Sequence, residues 1–171
     1  MVMAPDEFRK VVEGHQRMVF SIALRVTGDY GGAEEVAQDV FLELHRSVER
    51  LKGEDHLRFW LRRVSVHRAT DWLRRKKRQP ETGAEDWVDE EHGVSVEAAN
   101  SAGMVARLEN LLRTLPEAMR VVVVLRYQEE MLPDEIAALL QQPVPSVKSN
   151  LRRGLELLRR KAETTMKEYV R

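Results

Sequence analysis

The chain has no cysteine, only 6% aromatic residues, and nine glycines and six prolines in 171 residues. Without cysteine there is no disulfide, no thiolate nucleophile and none of the common zinc-finger ligand sets, which suits a reducing compartment. Few aromatics, glycines and prolines beside 33% charged and 43% hydrophobic residues argue against a β-sandwich or a disordered chain, and predict a mostly helical fold. No run approaches the roughly 20 apolar residues that a membrane span needs. Met1 to Lys10 also lacks a basic segment followed by an apolar one. The expectation is a cytoplasmic chain, neither exported nor inserted in a membrane. The five histidines, His15, His45, His56, His67 and His92, show no zinc-protease spacing and no neighbouring glycine-rich phosphate loop. No enzymatic activity, metal or cofactor is expected.

The zero net charge conceals a partition. Residues 1–78 hold 16 Lys/Arg against 12 Asp/Glu, residues 79–106 hold none against 7, and residues 107–171 hold 12 against 9. Two basic blocks flank an acidic one. The middle block, from Gln79-Pro80 through Glu81, Glu85, Asp86 and Asp89 to the small run Ala98–Gly103, reads as a flexible linker. It is either a solvated tether or a like-charged competitor of DNA for the basic faces, with Trp87 and Val88 as points of local docking. The fold class is therefore all-α: two small helical domains, 1–78 and 107–171, joined by an acidic linker.

Three helices are predicted before the linker. The first runs from about Asp6 to Val26, with Phe8, Val11, Val12, Met18, Val19 and Ile22 at helical spacing, and Thr27-Gly28-Asp29 stops it. The second spans about Gly32 to Leu51 with Val36, Val40, Phe41 and Leu44 in one stripe. The third runs from about His56 to Arg75 into the cationic stretch Arg74–Arg78. On a continuous helix, Trp60, Arg63, His67, Thr70 and Arg74 fall within a sector of about 80°. Such a mixture of rings and cations suits single-stranded DNA, because cations track phosphates while rings stack on unpaired bases. Core packing is the competing role for Trp60 and Trp72, together with Leu57, Leu61 and Val64. Phosphate contact is the expected role of Arg74 to Arg78.

After the linker, a helix over Val105–Leu115 is followed by one that Pro116 opens. The run Val121-Val122-Val123-Val124-Leu125 has strand propensity, but no partner strand is apparent, so a core helix is expected. A short helix from Pro133 to Leu140 then precedes one from Ser146 to about Lys167. Ile136, Ala137, Leu139 and Leu140 oppose Val147, Leu151, Leu155 and Leu158, so the pair forms a helix-turn-helix with Ser146 as its N-cap. Ser146, Lys148, Ser149, Asn150, Arg152 and Arg153 lie off the packed stripe, where such folds enter the major groove.

Three motifs carry a resemblance. Ala33-Glu34-Glu35-Val36-Ala37-Gln38-Asp39-Val40-Phe41 resembles the polymerase-binding helix of bacterial sigma factors. The stretch from Phe59-Trp60-Leu61 through His67 and Asp71 to Arg75 is similar to the same family's promoter-opening segment. Leu115-Pro116 to Leu125-Arg126, with Glu135-Ile136-Ala137 and Ser146-Val147-Lys148-Ser149, resembles its second domain. The order is that of the extracytoplasmic-function group. Two readings from other classes stay open on the residues alone: a stand-alone helix-turn-helix regulator, and a helical adaptor with no nucleic-acid role.

The resemblance implies an alternative sigma factor that binds core RNA polymerase, directs it to promoters and helps melt the downstream (minus 10) element. Glu35, Gln38, Asp39 and Phe41 would meet the clamp coiled coil, and the second domain the flap. Leu51, Lys52, His56, Trp60, Arg63, His67, Arg74 and Arg75 would meet melted DNA, the loop from Leu51 to His56 receiving a flipped base. Ser146, Lys148, Ser149, Asn150, Arg152 and Arg153 would read the upstream (minus 35) element. An anti-sigma partner is implied as well. His67 stands where the family has asparagine, Gln141 and Pro145 replace glycines, and Asn150 replaces arginine, so inherited promoter preferences need not carry over.

Overall fold

A computed structural model of the chain describes residues 3–79 and 96–169, and every regular element among them is helical. The acidic stretch from 80 to 95, with Trp87 and Val88, lies outside the described residues. Helix α1 spans Pro5–Thr27, α2 Tyr30–Ser47 and α3 Gly53–Arg78, with a 3-10 turn at Val48–Arg50 between the last two. Gly28 ends α1 at φ +67, a left-handed conformation that costs glycine little, and its N–H donates to the Leu24 carbonyl. Asp29 then caps α2, accepting from the Gly32 N–H at 2.7 Å. Burial raises the Asp29 pKa, but the Gly32 hydrogen bond and the charges of Lys76 and Arg113 outweigh it and hold the carboxyl below its usual range.

The three helices pack around Val19, Ile22, Ala23 and Val26 of α1, Val36, Val40 and Leu44 of α2, and Leu61, Val64 and Ala69 of α3. Val19, Ile22, Val36, Val40, Leu44, Leu61 and Val64 lie on the stripes the sequence predicted, whereas Phe8, Val11, Met18 and Phe41 of those stripes are only partly buried. Full burial of each large aliphatic side chain is worth about 1.5–3 kcal/mol. Gly32 is buried beneath Trp72, whose ring atoms would lie 2.6 Å from an added Cβ. The closeness of α2 and α3 at this end depends on that missing methyl group.

Two boundaries differ from expectation. The second helix, expected to reach Leu51, stops at Ser47 and tightens into the 3-10 turn. The third begins at Gly53 rather than His56, because Glu54 and Asp55 suit the positive end of a helix. The His56 ring accepts from the Lys52 N–H at 3.2 Å, closing the turn.

In the second domain, α4 spans Val96–Arg113, α5 Glu117–Val123, α6 Pro133–Leu140 and α7 Val144–Tyr169. Ala98 to Gly103, expected in the linker, therefore belongs to α4, in keeping with the helix propensity of Ala98, Ala99 and Ala102. The valine run is helical: α5 continues into one wide π turn, Val124–Gln128, and Val121 to Leu125 are all buried. Val121, Val122, Val123 and Leu125 pack with Leu112, Leu115, Met131, Ile136, Leu139, Val147 and Leu151.

Helix α7 starts before Ser146, which is consequently a first-turn residue and not the cap; its N–H donates to the Pro143 carbonyl at 3.0 Å. Pro145 fits inside that first turn because its ring pre-sets a helical φ and it needs no amide partner there. Gln141 ends α6 at φ +53, so a glutamine holds the left-handed position expected to suit glycine.

Candidate nucleic-acid interface

The helix-turn-helix forms as its stripes require at one end. Ile136, Ala137 and Leu139 of α6 are buried, as are Val147 and Leu151 of α7. Farther along α7 the expectation fails: Leu155 is 40% exposed. Leu155 and Leu158 instead line an apolar groove of about 340 Å³ with Leu108, Leu112, Val123 and Tyr127. The short α6 ends before it can cover them. Ser146, Lys148, Arg152 and Arg153 are exposed at the start of α7, whereas Ser149 and Asn150 are half-buried. This end offers cations and hydroxyls on a rigid support, the chemistry that grips phosphates and base edges.

The third helix distributes its predicted face differently. Trp60 and Trp72 are partly buried against the core, as their packing role required. The Trp72 indole donates to Glu35 at 3.2 Å, and Lys76 sits 4.9 Å above its ring. Arg63 is half-buried, whereas His67 is exposed. His67, Thr70 and Arg74 line a cleft of about 420 Å³ that they share with Glu117, Ala118, Leu140 and Gln142 of the second domain.

The cationic stretch is less idle than its sequence implied. Arg74 lies 3.9 Å from Asp71 and 3.6 Å from Glu117, Arg75 lies 3.7 Å from Glu35, and Lys76 lies 3.4 Å from Asp29. Three of these charges thus have folding partners. The pairs are largely exposed, so each contributes little to stability and leaves its cation exchangeable for a phosphate. Nearby, Arg68, Arg74, Arg75 and Arg78 surround a second cleft with Asp39 and Asp71.

The predicted set on α2 is split between two faces. Gln38 and Phe41 line an open groove with Arg17, Phe20, Tyr30 and Glu34, where Phe20 and Tyr30 meet edge to face at 5.3 Å. Glu35 and Asp39 instead turn toward α3. Both faces sit on one rigid helix, but a single flat partner surface would favour the first pair. The loop expected from Leu51 to His56 is shorter than that, because α3 already begins at Gly53: Leu51, half-buried, and Lys52, exposed, precede the helix, and the exposed His56 belongs to its first turn. Glu54 of that turn is held 3.0 Å from His15 of α1.

Sequence reasoning missed the groups that join the two domains. Arg62 donates to Glu129 at 3.0 Å, Arg25 donates to Gln128, and Arg120 donates to the Val26 carbonyl. Neither a helical repeat nor a local motif carries a signal that names so distant a partner for an arginine. Among the described residues there is no group of three or more His, Asp or Glu able to hold a metal, and no helix long and apolar enough to cross a membrane.

Residues 11–79 match the family model described as Sigma-70 region 2, and residues 106–158 the one described as Sigma-70, region 4. Curated relatives include the ECF RNA polymerase sigma factor SigW of Bacillus subtilis, 25% identical, with 91% of this chain and 88% of the relative aligned. The ECF RNA polymerase sigma-E factor of Escherichia coli is 26% identical over 91% of this chain and 86% of its own. Among solved structures, CnrH in complex with the cytosolic domain of CnrY superposes with a TM-score of 0.68 at 19% identity, covering 95% of this chain and 91% of that one. RpoE in complex with the anti-sigma factor NepR from Bartonella quintana gives 0.69 at 14% identity, covering 91% and 96%.

Proposed function

The chain belongs to the extracytoplasmic-function sigma factors of the sigma-70 family and acts as an alternative-sigma initiation factor, and from that premise we propose how its residues divide the work. The first domain, to residue 78, engages the polymerase clamp and melted promoter DNA, and the domain from residue 107 reads the upstream promoter element. Gln38 and Phe41 meet the clamp, with Glu35 and Asp39 supporting α2 from its other side. Trp60, Arg63, His67, Arg74 and Arg75, with Leu51 and Lys52 before α3 and His56 in its first turn, contact the melted strand. Ser146, Lys148, Ser149, Asn150, Arg152 and Arg153 contact the upstream duplex.

The observation that carries this reading is the presence in one chain of two cationic faces of different kinds. Helix α3 presents Arg74 and Arg75 with the exposed His67 ring, groups that suit the phosphates and bases of a single strand, and α7 presents a rigid polar helix end, as a duplex groove requires. Two modest binding modules on one chain gain affinity through effective concentration when both promoter elements are correctly spaced. The role is stoichiometric rather than enzymatic and belongs in the cytoplasm, where polymerase and DNA are. Regulation by an anti-sigma protein is supported by the apolar groove around Leu108, Leu112 and Leu155, which suits an amphipathic helix.

Transcription by bacterial core polymerase on a promoter library tests the assignment. Start-site-specific transcripts that depend on this protein are expected, with Gln38→Ala reducing them more than Asp39→Ala. Absence of stimulation, combined with polymerase-independent binding to specific duplexes, would transfer the chain to the stand-alone regulators.

A further inference from the structure

His15 is a buried titratable side chain to which neither polymerase binding nor DNA contact gives a task. It lies on α1, and its Nε2 stands 3.0 Å from Oε1 of Glu54 in the first turn of α3. The two side chains are 11% and 59% exposed. A carboxylate only accepts, so the imidazole is the donating partner. The enclosed member of the pair is therefore the histidine, and the member it holds is the glutamate at the helix start. Arg58 approaches the same carboxylate only to 3.8 Å, from an exposed position one turn along α3, a contact of little weight.

The pair bears on the turn of Leu51 and Lys52 that leads into α3. Two other polar contacts shape this turn, and both are local: the Leu51 N–H donates to the Val48 carbonyl at 3.1 Å, and the Lys52 N–H to His56 Nδ1 at 3.2 Å. They close the turn without fixing where it stands on the domain. Leu51 and Leu57 pack partly against the core, but apolar contact is non-directional and tolerates sliding. At Gly53, φ +81, nothing outside its own turn of chain lies within 4 Å of the place a Cβ would take, so packing does not clamp the turn there. The His15–Glu54 pair supplies a directional tie to another helix. That helix also carries Gln16 and Arg17 into the groove of Gln38 and Phe41, so α1 references the turn to the face assigned to polymerase.

We infer that His15 is a positioning residue for promoter melting: through Glu54 it holds the turn of Leu51 and Lys52 in place, so that the turn is already formed when a base leaves the stack. This rests on the reading of that turn as the receiver of a flipped base. Unstacking a base is unfavourable, and a receiver that must first be ordered offsets less of that penalty than one already in position.

The test uses holoenzyme assembled from core polymerase and the full chain carrying His15→Leu, His15→Gln or Glu54→Ala. The probe is a promoter recovered from the library, with its downstream element pre-melted and the bases of its non-template strand removed one at a time as abasic sites; affinity is read by fluorescence anisotropy. Wild-type holoenzyme is expected to lose most affinity at one abasic position, where the flipped base is missing. His15→Leu and Glu54→Ala should bind the intact strand roughly tenfold more weakly and show little further loss at that position. His15→Gln should recover most of the affinity, because its amide nitrogen replaces Nε2 as the donor.

Position-specific loss retained in full by His15→Leu and Glu54→Ala would overturn the inference while leaving the reading of the turn intact, since any weakening would then be general. So would wild-type affinity in Glu54→Ala, whose exposed side chain lets that variant fold even where His15→Leu does not, or binding by His15→Gln as weak as that of His15→Leu. Wild-type holoenzyme indifferent to every abasic position would instead defeat the reading of the turn as a base receiver.

Discussion

Arg120, buried in the middle of α5, donates a hydrogen bond to the backbone carbonyl of Val26 in the last turn of α1. The same guanidinium also donates to the carbonyls of Arg113 and Leu115 within its own domain. One side chain therefore both closes the α4–α5 corner and binds that corner to the first domain. Burial lowers its pKa from the usual arginine value, but a guanidinium remains charged at any physiological pH.

Replacing Arg120 by methionine is expected to destabilise the protein by about 3 kcal/mol, since buried carbonyls are deprived of a charged donor and packing cannot replace it. Arg120→Lys should recover only part, because an ammonium lacks the planar fork that reaches several carbonyls at once. Urea unfolding of the two variants checks both statements; equal destabilisation in each would mean that the fork geometry is irrelevant.

Gly32→Ala should cost about 1–3 kcal/mol, the range for overpacking a tightly filled site, because its Cβ would collide with the Trp72 ring. The near-ultraviolet circular dichroism of the folded variant should change, as the indole must turn away from Gly32 and Glu35. An unchanged spectrum and unchanged stability would show that α2 and α3 separate freely at this end.

At Gln141 the expected order is set by backbone conformation. A β-branched side chain resists φ +53, so Gln141→Val should be less stable by about 1–3 kcal/mol. Gln141→Gly should stay within about 1 kcal/mol of the parent, because relief in the folded state offsets the entropy that glycine adds to the unfolded one. Thermal unfolding ranks the three, and a valine variant as stable as the parent would contradict the strained turn.

Asp29 predicts a definite pH dependence. Its folded pKa lies below the usual 3.8, so its charge stabilises the fold above that value and the contribution disappears as pH falls through the lower, folded value. Asp29→Asn keeps a capping oxygen for Gly32 but removes the charge. The variant should therefore be less stable than the parent at neutral pH, and the gap should close below about pH 4. Parallel stability curves down to the acid limit would exclude a charge contribution.

For DNA, Arg152→Ala and Arg153→Ala should each weaken promoter binding by the holoenzyme, and reduce the slope of log affinity against log salt by about one for every phosphate that is no longer neutralised. Asn150→Ala should instead change base preference if its half-buried side chain reaches a base edge. Competition binding at several salt concentrations separates the two roles. An unaltered slope for both arginine variants would remove them from the phosphate-binding set.

Much of this protein was determined locally. Val19 and Ile22, Val36, Val40 and Leu44, and Val147 and Leu151 repeat at helical spacing because each helix must bury one stripe, so their packing was legible without any partner in view. Gly28 and Asp29 punctuated α1 and α2 for reasons confined to a few neighbouring residues, and the motifs around Gln38, Trp60 and Lys148 pointed to the family that the matched regions establish. The starts of α3 and α7 were less legible, because Glu54 and Asp55 or Pro143 and Pro145 permit a helix to begin at more than one place.

Only the tertiary structure decided which cations face solvent and which face acids. Arg62, Arg74 and Arg120 look alike in sequence, yet one meets a nearly buried carboxylate, one an exposed rim and one a set of carbonyls. Each has a partner many residues away on the other domain. A charge pattern has no register of its own comparable to the 3.6-residue repeat, so its pairing is fixed only when apolar packing has brought the helices together.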